Sequence, residues 1–130
     1  MLSKRQYMAL SEFRFQLTRF LHFSEQASHL AGITLKQYLM LLHIRGTAGR
    51  DWATVGELAA RLHASAHGTV GLVNRGVAAG LVRKRRNAED GRCVEVHLTP
   101  RSRRLLQRIA SRHRDELRSL RKVFRVAHVQ

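Results

Sequence analysis

The first thirty residues place hydrophobic side chains at the spacing of one helix face. Apolar residues recur three and four positions apart, at Leu10, Phe13, Leu17, Phe20, Leu21 and Ala27. This spacing predicts one long helix from about Lys4 to Leu30. Gly32 marks its end, and Thr34 is suited to cap a second, mostly buried helix from Leu35 to about Ile44.

Two shorter helices are predicted next along the chain. Trp52 and Ala53 suggest a very short strand, and Thr54 with Glu57 forms the pattern of a capping box, so a helix begins there and runs through Leu62. A tight turn is expected at His63 and Ala64. Ser65 then caps a fourth helix that extends to roughly Ala79, before Gly80, with inner positions predicted at Val70, Val73 and Val77.

A hairpin and a last helix complete the pattern. Leu81 to Arg85 and Cys93 to Leu98 are predicted as strands joined by a polar loop, and in the second strand Val94, Val96 and Leu98 are expected on one face against Glu95 and His97. A final helix from Pro100 carries an apolar face with arginines over the remainder. That face comprises Leu105, Leu106, Ile109, Leu117, Leu120 and Phe124.

This order of elements predicts a mainly α (α+β) fold of the winged helix-turn-helix class. Residues 1–130 form a single domain in this interpretation, in which residues 32–99 are the winged lobe with its own core. The apolar stripes of the terminal segments, 1–31 and 100–130, then need another partner. The simplest prediction is that both pack in a two-fold homodimer.

The charge balance points to a polyanionic partner. The chain has 24 Lys and Arg against nine Asp and Glu, a formal net charge of +15. This charge favours nucleic acid as the partner. A membrane surface is the second interpretation but is not the one predicted. The chain has no signal-peptide core or long apolar run, and its single Cys93 excludes an intrachain disulfide. We therefore expect a soluble, cytoplasmic protein.

The segments between Leu30 and about Arg104 resemble the MarR-type winged helix regulators. The similarity lies in Gly32-Ile33-Thr34 with Tyr38 and Leu41-Leu42, Glu57-Leu58-Ala59, Leu72-Val73-Asn74-Arg75, Gly80-Leu81-Val82-Arg83, Asp90-Gly91-Arg92 and His97-Leu98-Thr99-Pro100. The chain departs from the family pattern in the fourth helix, where Gly68, Gly71 and Gly76 replace residues with side chains. Interior glycines predict a soft helix.

The resemblance implies that residues 65–79 form the recognition helix, with Ser65, His67 and Thr69 facing the DNA groove. It also implies that Arg92 is the minor-groove arginine and that Asp90 braces it. A narrow minor groove has enhanced negative potential and admits a guanidinium, which supports Arg92 independently. Two further residues, Arg75 in the helix and Arg86 in the wing, complete the predicted DNA-binding set.

Other chemistry is disfavoured by the sequence. His63 and His67 have helical ligand spacing, but a turn separates them and no companion ligands are evident, so no metal and no cofactor is predicted. A redox switch at Cys93 and a ligand-pocket role for His22, His29 or His43 are conceivable alternatives to ordinary structural roles. No nucleophile with a placed base and no phosphate-binding glycine loop is present, which argues against an enzyme with catalytic residues.

Two functional hypotheses follow. The first is a sequence-specific transcription regulator, a dimeric repressor that binds a pseudo-palindromic operator on double-stranded DNA; the resemblance further implies a small-molecule effector between the dimer helices and the winged lobe. The alternative is an architectural, nucleoid-like protein that coats DNA with low sequence specificity, for which the net charge alone would suffice. A third possibility is a protein-interaction module that kept the fold without binding DNA.

Overall fold

The computed structural model describes residues 1–114, 117–118 and 121. The helices are α1 (Lys4–Leu30), α2 (Leu35–Arg45), α3 (Val55–Leu62), α4 (Ala66–Ala78) and α5 (Pro100–Arg112), and the strands are β1 (Trp52–Thr54), β2 (Val82–Arg86) and β3 (Val94–Leu98). The three strands form one antiparallel sheet in the order β1-β3-β2. This arrangement confirms the predicted winged helix-turn-helix class.

Each helix begins at a residue whose hydroxyl caps it. Capping boxes stand at Ser3, Thr34, Thr54 and Thr99, and Ser65 caps α4 by accepting a hydrogen bond from the Gly68 amide. These bonds satisfy backbone amides that have no partner inside the helix. The starts predicted at Thr34, Thr54 and Ser65 are therefore confirmed.

The turn between α3 and α4 depends on one left-handed residue. His63 has φ 50° and ψ 44°, a conformation that few non-glycine residues adopt. The amide of Ala64 donates to the Ala59 carbonyl, which closes the end of α3. The chain therefore reverses within a few residues and starts α4 at once.

The core lies between α2, α4, the sheet and the start of α5. Its most buried members include Met40, Leu41, Ile44, Val73, Val82 and Val96. The predicted inner face of α4 was wrong in part, since Val70 and Val77 are both 42% exposed. The buried face instead comprises Thr69, Leu72, Val73 and Gly76.

Gly76 is buried, and two core side chains fill the space that its own side chain would otherwise take. A Cβ at this position would lie 2.9 Å from the Met40 Cε and 3.1 Å from a Val82 methyl carbon. Because both neighbours are buried, α4 approaches α2 and β2 more closely than any larger residue would permit. Met40 thus occupies the space beside the backbone of Gly76.

α1, α2 and α5 meet around the buried imidazole of His113. Its Nδ1 donates to the Ile109 carbonyl at 2.9 Å, and its Nε2 lies 2.8 Å from the Ser24 hydroxyl. The ring stacks on Tyr38 and contacts Phe20 and Phe23 edge-on. Burial raises the pKa of Tyr38. The terminal helices are thereby joined to the winged lobe within one chain.

The far end of the last predicted helix is described only in part. Leu117 is 57% exposed, whereas Leu120 and Phe124 lie outside the described residues. None of the helices in the described part of the chain is long and apolar enough to cross a membrane.

Candidate nucleic-acid interface

The first turn of α4 presents two of the three residues predicted to face DNA. Ser65 and His67 are exposed. Thr69 is only 1% exposed, and its hydroxyl donates to the Ser65 carbonyl at 2.8 Å. The placement of Thr69 on the groove-facing surface is therefore corrected: its side chain belongs to the core face of α4 and stabilises the helix start.

Arg75 lies on the same exposed face of α4 as His67, two turns further along. Residues four apart share a helix face, and Gly71 stands between these two. A Cβ at Gly71 would lie 3.1 Å from an Arg75 guanidinium nitrogen, so the glycine lets that side chain fold back over the helix. The exposed face of α4 thus carries an imidazole, a bare backbone and a guanidinium.

The hairpin of β2 and β3 is strongly basic on its surface. The register pairs Arg83 with His97, Lys84 with Val96, Arg85 with Glu95 and Arg86 with Val94. Exposed basic side chains occur at Arg83, Lys84, Arg85, Arg86 and Arg92. A β-hairpin of this size with guanidinium groups at its end can enter a DNA groove.

Asn87 folds the turn of the wing. Its side-chain oxygen accepts hydrogen bonds from the amides of Glu89 and Asp90, both at 2.9 Å. Asp90 in turn accepts from the backbone amide of Arg92 at 3.0 Å. The support that Asp90 gives to Arg92 therefore passes through the main chain, and the guanidinium remains exposed.

Glu95 is a buried acid within this basic hairpin. It is 8% exposed, whereas Val94 beside it, which was expected on the face of Val96 and Leu98, is 37% exposed. Glu95 accepts from His97 Nε2 at 2.8 Å and from the Asn87 side-chain amide at 2.6 Å. The hydrogen bond from His97 is the main reason why the pKa of Glu95 lies below its ordinary value, with help from Asn87 and Arg85 against the effect of burial.

A second polar group adjoins Glu95 on the same face of the sheet. Trp52 pairs with His97 across β1 and β3, with ring centroids 6.4 Å apart. The Arg50 guanidinium lies 4.0 Å above the Trp52 ring and forms an ion pair with Glu57. The hydrogen bond from the Thr54 amide, followed by smaller contributions that include Arg50, lowers the pKa of Glu57.

Sequence reasoning missed Asn87, Glu95 and Arg50. The signal for Asn87 was available, because an asparagine before an acidic, glycine-containing loop is a common turn residue. Glu95 gave no such signal, since a lone carboxylate in an alternating strand is usually solvated.

The metal, redox and ligand-pocket alternatives depend on how the histidine and cysteine side chains are placed. Within the described ranges, no three His, Cys, Asp or Glu side chains are grouped as a metal site would require. Cys93 is a free, half-buried thiol whose amide donates to the Asp90 carbonyl, so it belongs to the wing turn. His43 lines a cleft of about 400 Å³ between α2 and α3, where burial and the charge of Arg61 lower its pKa.

Comparisons with known proteins agree with this geometry. The model of the MarR family matches residues 31–92. A MarR family protein from Bacillus stearothermophilus has a TM-score of 0.77 at 20% identity, covering 92% of this chain and 82% of that one. Among curated proteins, the sequence search finds no match.

Two further solved structures share the fold. A mutant of S. aureus MepR bound to an oligodeoxyribonucleotide has a TM-score of 0.69 at 18% identity, covering 99% of this chain and 86% of that one. BpsR of Bordetella bronchiseptica, whose DNA binding is regulated by 6-hydroxynicotinic acid, has a TM-score of 0.63 at 20% identity, covering 82% and 74%. The helix-turn-helix, the basic wing and the match of residues 31–92 thus support a winged helix fold of the MarR type.

Proposed function

We propose that this protein is a cytoplasmic, non-enzymatic transcription regulator, a dimeric repressor that binds a pseudo-palindromic operator in double-stranded DNA. The observation that carries the proposal is the pairing of an exposed α4 surface with a hairpin bearing five exposed basic residues. The MepR structure shows that a protein of this fold binds an oligodeoxyribonucleotide.

Within α4, the polar residues of the exposed face would enter the major groove. The Ser65 oxygen is occupied as an acceptor by the Gly68 amide at 3.0 Å, but its hydrogen is still available to a phosphate oxygen. His67 and Arg75 carry the groups that can contact base edges or phosphates. These contacts would supply the sequence preference.

The wing would supply contact with the minor groove. Arg92 at the turn and Arg86 at the end of β2 are both exposed, and guanidinium groups bind well where a minor groove is narrow. The remaining basic side chains of β2 would bind phosphates and release counterions, so affinity should fall steeply with salt.

A homodimer is supported by the apolar surface of the terminal helices. Several large hydrophobic side chains on or beside α1 are more than 45% exposed in the single chain, namely Leu2, Tyr7, Met8, Leu10, Phe15, Leu21 and Leu30. Large apolar side chains exposed in this number along one helix favour an interface. A two-fold dimer would set two copies of α4 into successive major grooves. Light scattering across a dilution series tests the dimer, and a monomer at all concentrations would contradict it.

A small acidic effector is supported by a cleft between α1 and α5. The cleft measures about 170 Å³ and is lined by Ala27, Leu30, Ala31, Ile109 and the arginines Arg108 and Arg112. A guanidinium pair beside apolar side chains fits an aromatic acid. Thermal-shift and DNA-release assays with such acids should respond in the wild type and weaken in R108Q.

The decisive experiment selects bound sequences from a random duplex pool and then measures affinity by fluorescence anisotropy. A regulator should enrich a two-fold symmetric sequence and bind it at least about a thousandfold more tightly than random duplex at fixed salt. Equal competition by random duplex would favour the architectural alternative, and no binding even at low salt would favour a protein-interaction module.

A further inference from the structure

The wing turn is connected to a buried acid by one continuous series of hydrogen bonds. His97 donates to Glu95 at 2.8 Å, and Asn87 donates to the other carboxylate oxygen at 2.6 Å. The carbonyl oxygen of the same Asn87 side chain accepts the amides of Glu89 and Asp90, each at 2.9 Å. Asp90 then accepts the amide of Arg92 at 3.0 Å. Every step from the sheet to the wing arginine is therefore occupied.

This series leaves the Asn87 amide no freedom to rotate. Its nitrogen can only donate and its oxygen can only accept, so the Glu95 carboxylate fixes which way the amide faces. With that orientation, the oxygen points at the turn amides. If the amide were reversed, its N–H₂ group would face the backbone N–H groups of Glu89 and Asp90, and the turn would open.

For DNA binding alone, a negative charge at position 95 is unfavourable. Glu95 lies opposite Arg85 in a hairpin that bears five exposed basic residues, and a negative charge there opposes DNA binding. We propose that Glu95 is a positioning residue, which acts through Asn87 to hold the wing turn and so directs Arg92 toward DNA. This inference rests on the proposed function for its effect on binding, but not for its effect on the free protein.

The substitution Glu95→Gln separates positioning from charge. The glutamine amide keeps the size of the side chain but replaces hydrogen bonds to a carboxylate with uncharged ones, and its N–H₂ group can face His97 only if the Nε2 of that ring accepts. If Glu95 positions the wing, the Kd for the selected duplex rises about tenfold, because hydrogen bonds to a charged group are lost. If only charge matters, removal of a negative charge leaves the Kd unchanged or lower.

Glu89→Gln is the matched control. Glu89 lies in the same turn with an exposed side chain, and its contribution to the turn is its backbone amide. E89Q removes the same charge and should bind the duplex as tightly as the wild type or more tightly. Asn87→Asp is the second variant, because it keeps the turn acceptor and sets a carboxylate against Glu95; it should weaken binding as E95Q does.

The route through Arg92 is tested by a double-mutant cycle. In an R92A background, E95Q should weaken binding little further, since both changes remove the same contact. An equal loss in both backgrounds would overturn the inference, as would wild-type affinity in folded E95Q and N87D.

Amide hydrogen exchange in the free protein tests the same inference without DNA. The amides of Glu89, Asp90 and Arg92 should exchange several-fold faster in E95Q than in the wild type, while E89Q leaves them unchanged. If the wild type binds no duplex, the proposed function fails while this measurement still decides the role of Glu95. Unchanged exchange in E95Q would refute that role.

Discussion

Replacing Gly71 or Gly76 by alanine tests the packing of the proposed recognition helix. Both residues lie inside α4, so each substitution gains about 1 kcal/mol from helix propensity. The difference between the two variants therefore isolates what the new methyl group meets. At position 71 it meets the far end of the exposed Arg75 at 3.1 Å, and at position 76 it meets Met40 at 2.9 Å and Val82 at 3.1 Å.

The two variants should move in opposite directions. Arg75 can swing into solvent, so G71A should be more stable than the wild type by about 0.5–1 kcal/mol. Met40 is 0% exposed and Val82 is 1% exposed, so the methyl group at position 76 must displace packed core atoms, a cost of about 1–3 kcal/mol. G76A should therefore unfold more easily than G71A by about 1–3 kcal/mol.

Urea unfolding followed by circular dichroism measures both values. Each variant must be compared at one protein concentration, because the stability of a dimer depends on concentration. If G76A proves as stable as G71A, the close approach of α4 to Met40 and Val82 does not exist as described. Because G71A also adds a methyl group to the exposed face and displaces Arg75, its DNA affinity would not report the stiffness of α4 alone.

Three other substitutions have separable outcomes. Arg92→Ala should raise the Kd for the selected duplex about tenfold or more with an unchanged circular dichroism spectrum; unchanged affinity would exclude the wing contact. Thr69→Ala should lower the free energy of unfolding by about 1–3 kcal/mol. His67→Ala should weaken DNA binding and leave the stability unchanged. If T69A instead weakened DNA binding without loss of stability, Thr69 would belong to the interface. The pKa of Glu57 is lowered in the folded state. Its stabilising contribution is therefore present above its ordinary pKa and disappears as the pH falls through the lowered value. In Glu57→Gln, the melting temperature should fall less steeply over this acidic range than in the wild type.

Helix starts and the wing could be predicted because their signals are local. A hydroxyl at Thr34, Thr54 or Ser65 satisfies backbone amides within the next three residues, whatever the rest of the chain does. The alternation of β3 likewise located the strand to within one residue. These features predicted the helix-turn-helix and the wing correctly.

The buried face of α4 could not be predicted because its central contact is made at Gly76, which has no side chain. Sequence periodicity selected Val70, Val73 and Val77, whereas the buried stripe runs through Thr69, Val73 and Gly76. The two sets have nearly the same spacing and differ by a small rotation of the helix. Since glycine contributes no hydrophobic signal, the close packing of Met40 on Gly76 could not be detected. The groove-facing position of Thr69 was implied by the family resemblance, and its burial was not foreseen.

Glu95 was not predicted for a related reason. Its burial depends on donors from His97 and Asn87, and the second lies in a loop whose conformation no local pattern determines. A polar residue in a strand is interpreted as exposed unless its partners are known. The positions that the pattern misjudged thus include those where a nonlocal contact decides the side chain's environment.

In the proposed complex, α4 and the wing contact one duplex in adjacent grooves. Footprinting on the selected duplex tests it directly, with guanine N7 methylation for the major groove and hydroxyl radical cleavage for the minor groove. We predict that the wild type protects both grooves. R92A should lose the minor-groove protection and keep the major-groove protection. Protection that is the same in the two proteins, or absent from the major groove, would contradict this claim.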